Sequence, residues 1–448
     1  MQKTQNPMAQ RPIMPLLLSM AFPPMLSMLI QSLYNIVDSI FVSRLGEEAL
    51  TAVSLAFPLQ NAVLAVAVGT GVGVSASLSR HLGAEDLDAA NQTANHGLLF
   101  TAIHSILFVL VGLFLSGPFL RLFTQNPNVY AMGLAYSRIV IPLSFGSLFH
   151  ILIEKILQST GNMLVPMILQ AVGALTNVVL DPIMIFGWGF IPAMGVAGAA
   201  IATIIGQMLA CGLSFLLFLR GKSPVRFRLR AFRFSREQTR LIYSVALPST
   251  MMTLMPSILV SILNAILAPV SQAAVAVLGL YFKTQTFVNM PTNGMIQAMR
   301  PIVSYNYGAR RMDRLRQTIR CGMIVACLMF ALGSLLFMAA PGWLMSLFHA
   351  EDQVLSLGIA AFRLIGMSFL LSTLGIVYSG AFEALGLGAQ SLAVSLLRQL
   401  LIIPPVSLLL MPAMGLNGMW IAFPIAEALS SVVALWLWRG AGRKVGLR

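Results

Sequence analysis

The chain has 448 residues and a net charge of +14, and 58% of its residues are hydrophobic while only 9% are charged. A soluble domain carries about a quarter charged residues. With a mean hydropathy of +0.85, the composition excludes a soluble globular protein and predicts an all-α polytopic membrane protein. The positive charge then favours cytoplasmic loops over nucleic-acid binding. The three cysteines have neither metal-ligand nor disulfide spacing, and we expect no metal centre and no cofactor.

Twelve apolar runs are long enough, at about 20 residues or more each, to cross a bilayer as helices. They lie near 14–42, 50–77, 94–119, 132–157, 163–187, 194–219, 241–267, 273–299, 318–341, 357–382, 390–411 and 416–438. Eight cations fall between Arg220 and Arg240, whereas the loops on the opposite face hold only Arg44 and Arg121. This bias predicts that both termini are cytoplasmic and that the protein is a multi-pass protein of the cell inner (plasma) membrane.

Helix 1 carries a polar stripe inside its apolar run. The stripe consists of Gln31, Tyr34, Asn35 and Asp38. Spacings of three and four residues place these side chains on one helical face. A carboxylate in the hydrocarbon region is costly and marks a functional site. Earlier in the same helix, Pro23 and Pro24 remove intrahelical hydrogen bonds, so we expect a kink there, either a passive bend or a moving hinge.

Helix 5 repeats this chemistry with Asn177 and Asp181, four residues apart on one face. Both Asp38 and Asp181 lie ~9–12 Å below the outer end of their helices, so their depths permit contact. Two neighbouring buried carboxyl groups cannot both be ionised at low cost, which suits proton exchange. Asn177 and backbone carbonyls would equally suit Na⁺, which requires oxygen ligands. A purely structural hydrogen-bonded pair is the alternative.

The two halves of the chain are repeats. Ser79, Gly83 and Asp88 match Ser304, Gly308 and Asp313 at one constant offset in the numbering, and PAMGVAG at 192–198 matches PAMGLNG at 412–418. We therefore predict an N-terminal six-helix lobe over 1–220, a basic cytoplasmic linker over 221–240 and a C-terminal six-helix lobe over 241–448. Six helices per repeat give both halves the same orientation, and parallel repeats of this kind are typical of transporters.

The sequence resembles the multidrug and toxic compound extrusion (MATE) family over nearly its whole length. The resemblance rests on the helix 1 pattern PxxxxxxxQxxYNxxDxxFVxxLG, on SRHLGA and SYNYGA after helices 2 and 8, and on GNMLVPMILQAVGALTNVVLDP and GVAGAAIAT. It implies two pseudo-symmetric six-helix lobes and export of amphipathic, mostly cationic small molecules against H⁺ or Na⁺ by alternating access. It implies no enzymatic activity. In the branch of the family with an ion or proton site in the N-terminal lobe, that site corresponds here to Asp38, Asp181, Asn177, Tyr34, Tyr136 and Thr203. Another branch carries its acids on helices 7 and 10 of the second lobe, whereas helix 7 of this sequence has no acid over 241–267.

Further polar and flexible side chains complete the expected site. We assign to the substrate cavity Gln31, Asn35, Gln170, Met251, Met255 and Met290, because flexible thioethers suit a promiscuous surface. In the second lobe we predict a polar network of Lys283, Arg398, Glu427 and Glu383. Lys283 and Glu427 have similar depth, and a buried cation needs a partner, so the two side chains are candidates for a pair. The network would serve structure or gating, or alternatively direct ion coupling.

Two other functions remain open from the sequence. A flippase for a lipid-linked precursor, from the same superfamily, would need a cationic central cavity and helices beyond twelve. An intramembrane enzyme would need a catalytic pair at matched depth, and only Asp38 and Asp181 qualify, without the GxGD motif of aspartyl proteases. We expect a monomer.

Overall fold

The computed structural model describes residues 7–189, 191–221, 223–348 and 352–444. Within these ranges the chain is helical, apart from short connections and one isolated antiparallel bridge between Trp188 and Ile191. The long helices are α1 Ile13–Ser43, α2 Glu47–Gly83, α3 Leu87–Arg121, α4 Pro127–Ser159, α5 Leu164–Phe186, α6 Gly195–Arg220, α7 Arg236–Leu267, α8 Gln272–Gly308, α9 Met312–Ala339, α10 Asp352–Ala384, α11 Gly388–Met414 and α12 Leu416–Lys444. Short helical turns also occur at Pro7–Gln10, Leu229–Ala231 and Pro341–Ser346.

Eleven of these helices are long and apolar enough to cross a membrane. The remaining one, α8, has 37 residues and so extends over ~55 Å, which is ample for a crossing. Its lower hydropathy reflects Lys283 and a series of amide and hydroxyl side chains. The prediction of an all-helical membrane protein is confirmed, and every predicted run corresponds to one long helix.

Three of the long helices contain irregular turns. The backbone of α3 forms a π-helical turn at Val111–Leu115, and α11 forms one at Leu397–Ile402. In α4, a 3₁₀ turn at Pro142–Ser144 follows Ile141, because Pro142 has no N–H to continue the helical ladder. π-Helical turns often occur at functional sites.

The backbone repeats the internal symmetry of the sequence. Glu85 and Arg310, which the repeat offset relates, have φ values of 58° and 57°, a conformation that is uncommon for residues other than glycine. Gly161 and Gly386, at the same offset, have φ values of 89° and 81°. The Ser79 hydroxyl donates to the Ser159 carbonyl at 3.3 Å, and the equivalent Ser304 hydroxyl donates to the Ala384 carbonyl at 2.7 Å. These pairs confirm two pseudo-symmetric halves.

The chain forms two compact units. The N-terminal unit is Leu26–Thr250, and the C-terminal unit consists of Met1–Met25 and Met251–Arg448. The divisions therefore fall inside α1 and α7, at positions that the repeat offset relates, rather than at the basic linker. In α1 the division directly follows Pro23 and Pro24, which lie inside a helix that continues to Ser43.

Small residues along α2 pack the N-terminal unit tightly. Gly69 and Gly73 lie against the backbone of α7 at Ala246 and Ile242, and Gly71 lies against the Lys155 side chain of α4. Backbones approach this closely only where side chains are small, as is usual between membrane helices. The glycines of this run therefore serve helix packing. The run also lacks the lysine that a glycine-rich phosphate-binding loop would contain.

The C-terminal unit has an aromatic core. Phe337 stacks on Phe362 with ring centroids 4.9 Å apart and meets Phe369 edge to face at 4.9 Å. The Tyr281 ring joins this cluster and lies 5.4 Å from the Phe423 ring. Trp420 is 1% exposed within the same core. Aromatic pairs of this kind add to the stabilisation that burial provides.

Candidate functional site

The predicted carboxyl pair is formed in the N-terminal unit. The side chains of Asp38 of α1 and Asp181 of α5 lie within hydrogen-bonding reach of each other. Asp181 is 0% exposed, and Asp38 is half-buried. Two carboxyl groups can form a hydrogen bond with each other only when at least one of them carries a proton.

Asn177 connects the carboxyl pair to α6. Its Nδ2 donates to Asp181 Oδ1 and to Thr203 Oγ1, both at 3.2 Å. Asn177 lies one helical turn before Asp181, so the two side chains share a face of α5. Asn177 and Thr203 are 3% and 4% exposed, which means that both are held inside the unit rather than at its surface.

Two tyrosines surround the pair. The Tyr34 hydroxyl is hydrogen-bonded to Thr203, and Tyr34 lies within electrostatic range of both carboxyl groups. Tyr136 of α4 lies within the same range and accepts a hydrogen bond from Gln60 Nε2 at 3.1 Å. All six residues assigned to the ion or proton site are thus brought together. Gln60 of α2 is an additional member of this cluster. The only hint of it in the sequence is that Gln60 is a lone amide in the apolar run FPLQ.

The cluster contains more acceptors than donors. Asp38 Oδ1, Asp181 Oδ2 and Asn177 Oδ1 are buried and have no hydrogen-bond donor within the described part of the chain. A buried oxygen without a donor is unfavourable. Such a set of oxygens has the chemistry to take up a proton or a hard cation.

The remaining polar residues of α1 continue the stripe. Gln170 Nε2 of α5 donates to Gln31 Oε1 at 2.9 Å, and Gln31 Nε2 lies 3.4 Å from Asn35 Oδ1. Asn35 is exposed. The three amides that the sequence assigns to the substrate cavity therefore form one chain of contacts in the N-terminal unit.

The three methionines assigned to the cavity differ in exposure. In the C-terminal unit Met251 is 46% exposed, Met290 is half-buried and Met255 is 2% exposed. Met255 is thus a core side chain, while Met251 and Met290 present thioether surface. Their assignment to a substrate cavity, like the hinge at Pro23 and Pro24, stays a prediction.

The predicted network of the second lobe is two separate ion pairs. Arg398 Nε lies 3.3 Å from Glu427 Oε1, whereas Glu383 pairs with Arg300. Lys283 is exposed, so the expected pairing of Lys283 with Glu427 is wrong. Tyr281, two residues earlier on α8, occupies the buried face, and a step of two residues turns ~200° around a helix. Lys283 therefore lies at the predicted depth but on the exposed face of α8, away from the buried face that Tyr281 occupies.

Arg300 and Tyr281 were missed by the sequence analysis. Arg300 reads from the sequence as one of the cytoplasmic cations, yet it lies within α8 and meets Glu383. Tyr281 reads as an aromatic core residue, and its hydroxyl is buried without a hydrogen bond in the described structure. The one signal in the sequence that could have suggested this pair is that Glu383 and Arg300 bring opposite charges into two apolar helices of the same lobe.

An all-helical, duplicated membrane fold with a buried carboxyl pair in one unit is typical of the membrane-transporter class of protein. The MatE family model matches residues 23–183 and 248–409. The chain therefore belongs to the MATE family of membrane transporters, which is not a family of enzymes. The starts of the two matched segments are related by the offset of the internal repeat.

Similar proteins span almost the whole chain. A FAD transporter of Shewanella oneidensis is 27% identical over 444 residues, covering 97% of this chain and 96% of that protein. The multidrug export protein MepA of Staphylococcus saprophyticus is 24% identical over 415 residues, covering 92% and 90% of the two chains.

Solved structures of the family have the same fold. A MOP superfamily transporter from Pyrococcus furiosus, described as having a binding pocket of reversed polarity, superimposes with a TM-score of 0.92 at 26% identity. An outward-facing multidrug resistance MATE transporter superimposes with a TM-score of 0.91 at 26% identity. Both comparisons cover 100% of each chain, which confirms the prediction of twelve membrane helices in two lobes.

Proposed function

We propose that this protein is a secondary active exporter of amphipathic, mostly cationic small molecules, which it moves against H⁺ or Na⁺ by alternating access. The contact between Asp38 and Asp181 carries the proposal, because a carboxyl pair that exchanges one ion is the coupling element such a transporter needs. The similarity to two MepA multidrug export proteins from staphylococci, at 24% and 23% identity, supports the substrate class.

In this mechanism the two carboxyl groups hold one proton between them. Asn177, which is hydrogen-bonded to Thr203, fixes the orientation of Asp181. The hydroxyl of Tyr34 also contacts Thr203 of α6. Loss of the proton would leave two adjacent carboxylates in a buried site. This is costly unless a cation binds between them or a rearrangement of the helices moves the two charges apart. An ion that binds one conformation of the transporter more tightly than the other shifts the equilibrium between the two conformations, and the size of the shift is set by the difference in binding free energy.

Na⁺ would use the same residues. Asp38, Asp181, Asn177 and Thr203 supply oxygen ligands of the kind that hard cations prefer. Efflux from proteoliposomes under an imposed pH gradient, and separately under an imposed Na⁺ gradient, distinguishes the two ions. Efflux that responds to neither gradient would overturn the proposal of secondary active transport.

Export of a flavin nucleotide or a related anion is a second candidate. It is favoured by the similarity to the Shewanella oneidensis FAD transporter, which extends over 97% of this chain. Parallel efflux measurements with a lipophilic cationic dye and with FAD would separate the two substrate classes. We further propose that the protein acts as a monomer in the inner membrane with both termini in the cytoplasm, in accord with the basic linker.

A further inference from the structure

A second buried polar cluster lies in the C-terminal unit, apart from the carboxyl pair. It joins Arg398, in the π-helical turn of α11, to Glu427 of α12. Their side chains are 23% and 13% exposed. The aromatic ring of Tyr281 packs against Phe423, one helical turn before Glu427, and Tyr281 lies within electrostatic range of both Glu427 and Arg398.

The ion pair in this cluster is incomplete. It joins a single guanidinium nitrogen, Nε, to a single carboxylate oxygen, Oε1, whereas Arg–carboxylate pairs can form two parallel hydrogen bonds. The other oxygen, Glu427 Oε2, is buried without a donor, and the Tyr281 hydroxyl is buried without any partner in the described structure. Tyr281 is 0% exposed. One acceptor and one hydroxyl group are thus left unsatisfied next to a weakly held carboxylate.

A proton on Glu427 would remove the deficit at Oε2. The Oε2 atom would become a hydroxyl donor instead of a buried acceptor without a donor, and a neutral acid costs less to bury than a charged carboxylate. In the ionised form, by contrast, Arg398 supplies the compensating charge. Each protonation state therefore has one stabilising feature.

The other charged and titratable groups near α12 are engaged elsewhere. On α10, Arg363 is exposed, Tyr378 stacks on Trp438 with ring centroids 5.0 Å apart, and Glu383 pairs with Arg300. The rest of α11 contributes no charged side chain. On α8, Lys283 is exposed. Among the described residues, Arg398 is accordingly the charged group in contact with Glu427.

We propose that Glu427 is a proton-exchange site of the C-terminal unit, in which Arg398 stabilises the carboxylate and the burial of Oε2 without a donor favours the carboxylic acid. The proton comes from water and returns to water, and no covalent bond other than O–H forms or breaks. This site is independent of the Asp38–Asp181 pair and does not rest on the proposed function of that pair.

Infrared spectroscopy of the full-length protein in lipid nanodiscs tests the proposal, because the C=O stretch of a carboxylic acid disappears on ionisation. We expect a carboxylic acid band that titrates with pH in D38N/D181N, in which the other carboxyl pair cannot contribute, and that is lost when E427Q is added to this background. The matched control adds E383Q to the same background, which alters the other buried glutamate of this unit and should keep the band. A band that survives in D38N/D181N/E427Q, or that is absent from D38N/D181N, would overturn the proposal.

A second variant keeps the test decisive if E427Q does not fold. Arg398→Gln removes the charge next to the carboxylate and retains Glu427. In the D38N/D181N background we expect the carboxylic acid band to persist to higher pH in R398Q, because the ionised form has lost its compensating charge. An unchanged titration in a folded R398Q protein would show that Arg398 does not stabilise the carboxylate, and the proposed site would be wrong.

Discussion

Replacing either member of the carboxyl pair should abolish coupling while leaving the fold intact. Asparagine has nearly the shape of aspartate, so Asp181→Asn can still accept the hydrogen bond from Asn177 that now reaches Asp181 Oδ1 at 3.2 Å. Its new amide group can also donate to Asp38, whose Oδ1 is buried without a donor. We therefore expect the melting temperature of D181N to equal or exceed that of wild type.

The magnitude of the lost coupling follows from the number of protons the pair can exchange. Two carboxyl groups in contact share one proton, so one proton per cycle is expected. A pH difference of one unit supplies ~1.4 kcal/mol per proton, which sustains a roughly tenfold steady-state gradient of a singly charged cation by one-for-one exchange. D38N and D181N should reach a ratio of about one, since a group that cannot release a proton transmits no driving force.

The assay is accumulation of a cationic dye in proteoliposomes with an imposed pH gradient and the membrane potential clamped at zero. The control is Asp88→Asn, which makes the same substitution at a side chain that is 87% exposed and pairs with Arg228 at 3.2 Å. D88N should accumulate dye as wild type does. Wild-type accumulation in both D38N and D181N would refute the assignment of the coupling site to this pair.

Four further outcomes are expected. Asn177→Ala should lower the free energy of unfolding by about 1–3 kcal/mol, because it leaves the Asp181 and Thr203 oxygens without their donor; thermal unfolding in detergent measures this, and an unchanged stability would argue against the bridge. In a double-mutant cycle, R398M or E427M alone should lower the free energy of unfolding by about 3–5 kcal/mol, and the double variant should lower it by clearly less. In a second cycle the effects of K283M and E427M should simply add, in contrast to the pairing that the sequence suggested. Gly386→Ala should destabilise the protein by about 1 kcal/mol or more, since φ is +81° there, while Gly440→Ala, which meets open space, should not. A reporter fused after Arg230 should be cytoplasmic, and a periplasmic signal would contradict the proposed orientation.

The sequence predicted the carboxyl pair because depth and helical period together constrain it well. Asp38 and Asp181 carry amides one turn away, so each stripe has a defined face, and two stripes at one depth tend to meet. Lys283 and Glu427 share only depth. Neither has an amide one helical turn away to mark a polar stripe, and the pairing inferred for them was wrong.

Contacts that depend on packing were beyond the sequence. Gln60 reaches Tyr136 because α2 and α4 pack side by side, and nothing in either run selects the partner. Arg300 resembles the cations of the following loop, and only its contact with Glu383 distinguishes it. The internal repeat, by contrast, could be read from the sequence. Glu85 and Arg310 come directly after the matched segments SRHLGA and SYNYGA, and in the structure both residues have the same left-handed conformation.

The two polar clusters break the internal symmetry in opposite ways. At the repeat offset of 225, Tyr34 and Asp38 correspond to Leu259 and Leu263, and at the later offset of 220, Thr203 corresponds to Phe423. These three counterparts are 4%, 0% and 4% exposed within the hydrophobic core of the C-terminal unit.

Conversely, Tyr281 and Glu427 correspond to Ala56 and Gln207. Since a duplicated chain begins with equivalent halves, each half has lost or gained its ionisable groups separately. Ionisable side chains inside a membrane are costly, so each cluster persists only if its own unit uses it. If both proposals hold, the two different sites would let each unit respond to protons through its own residues.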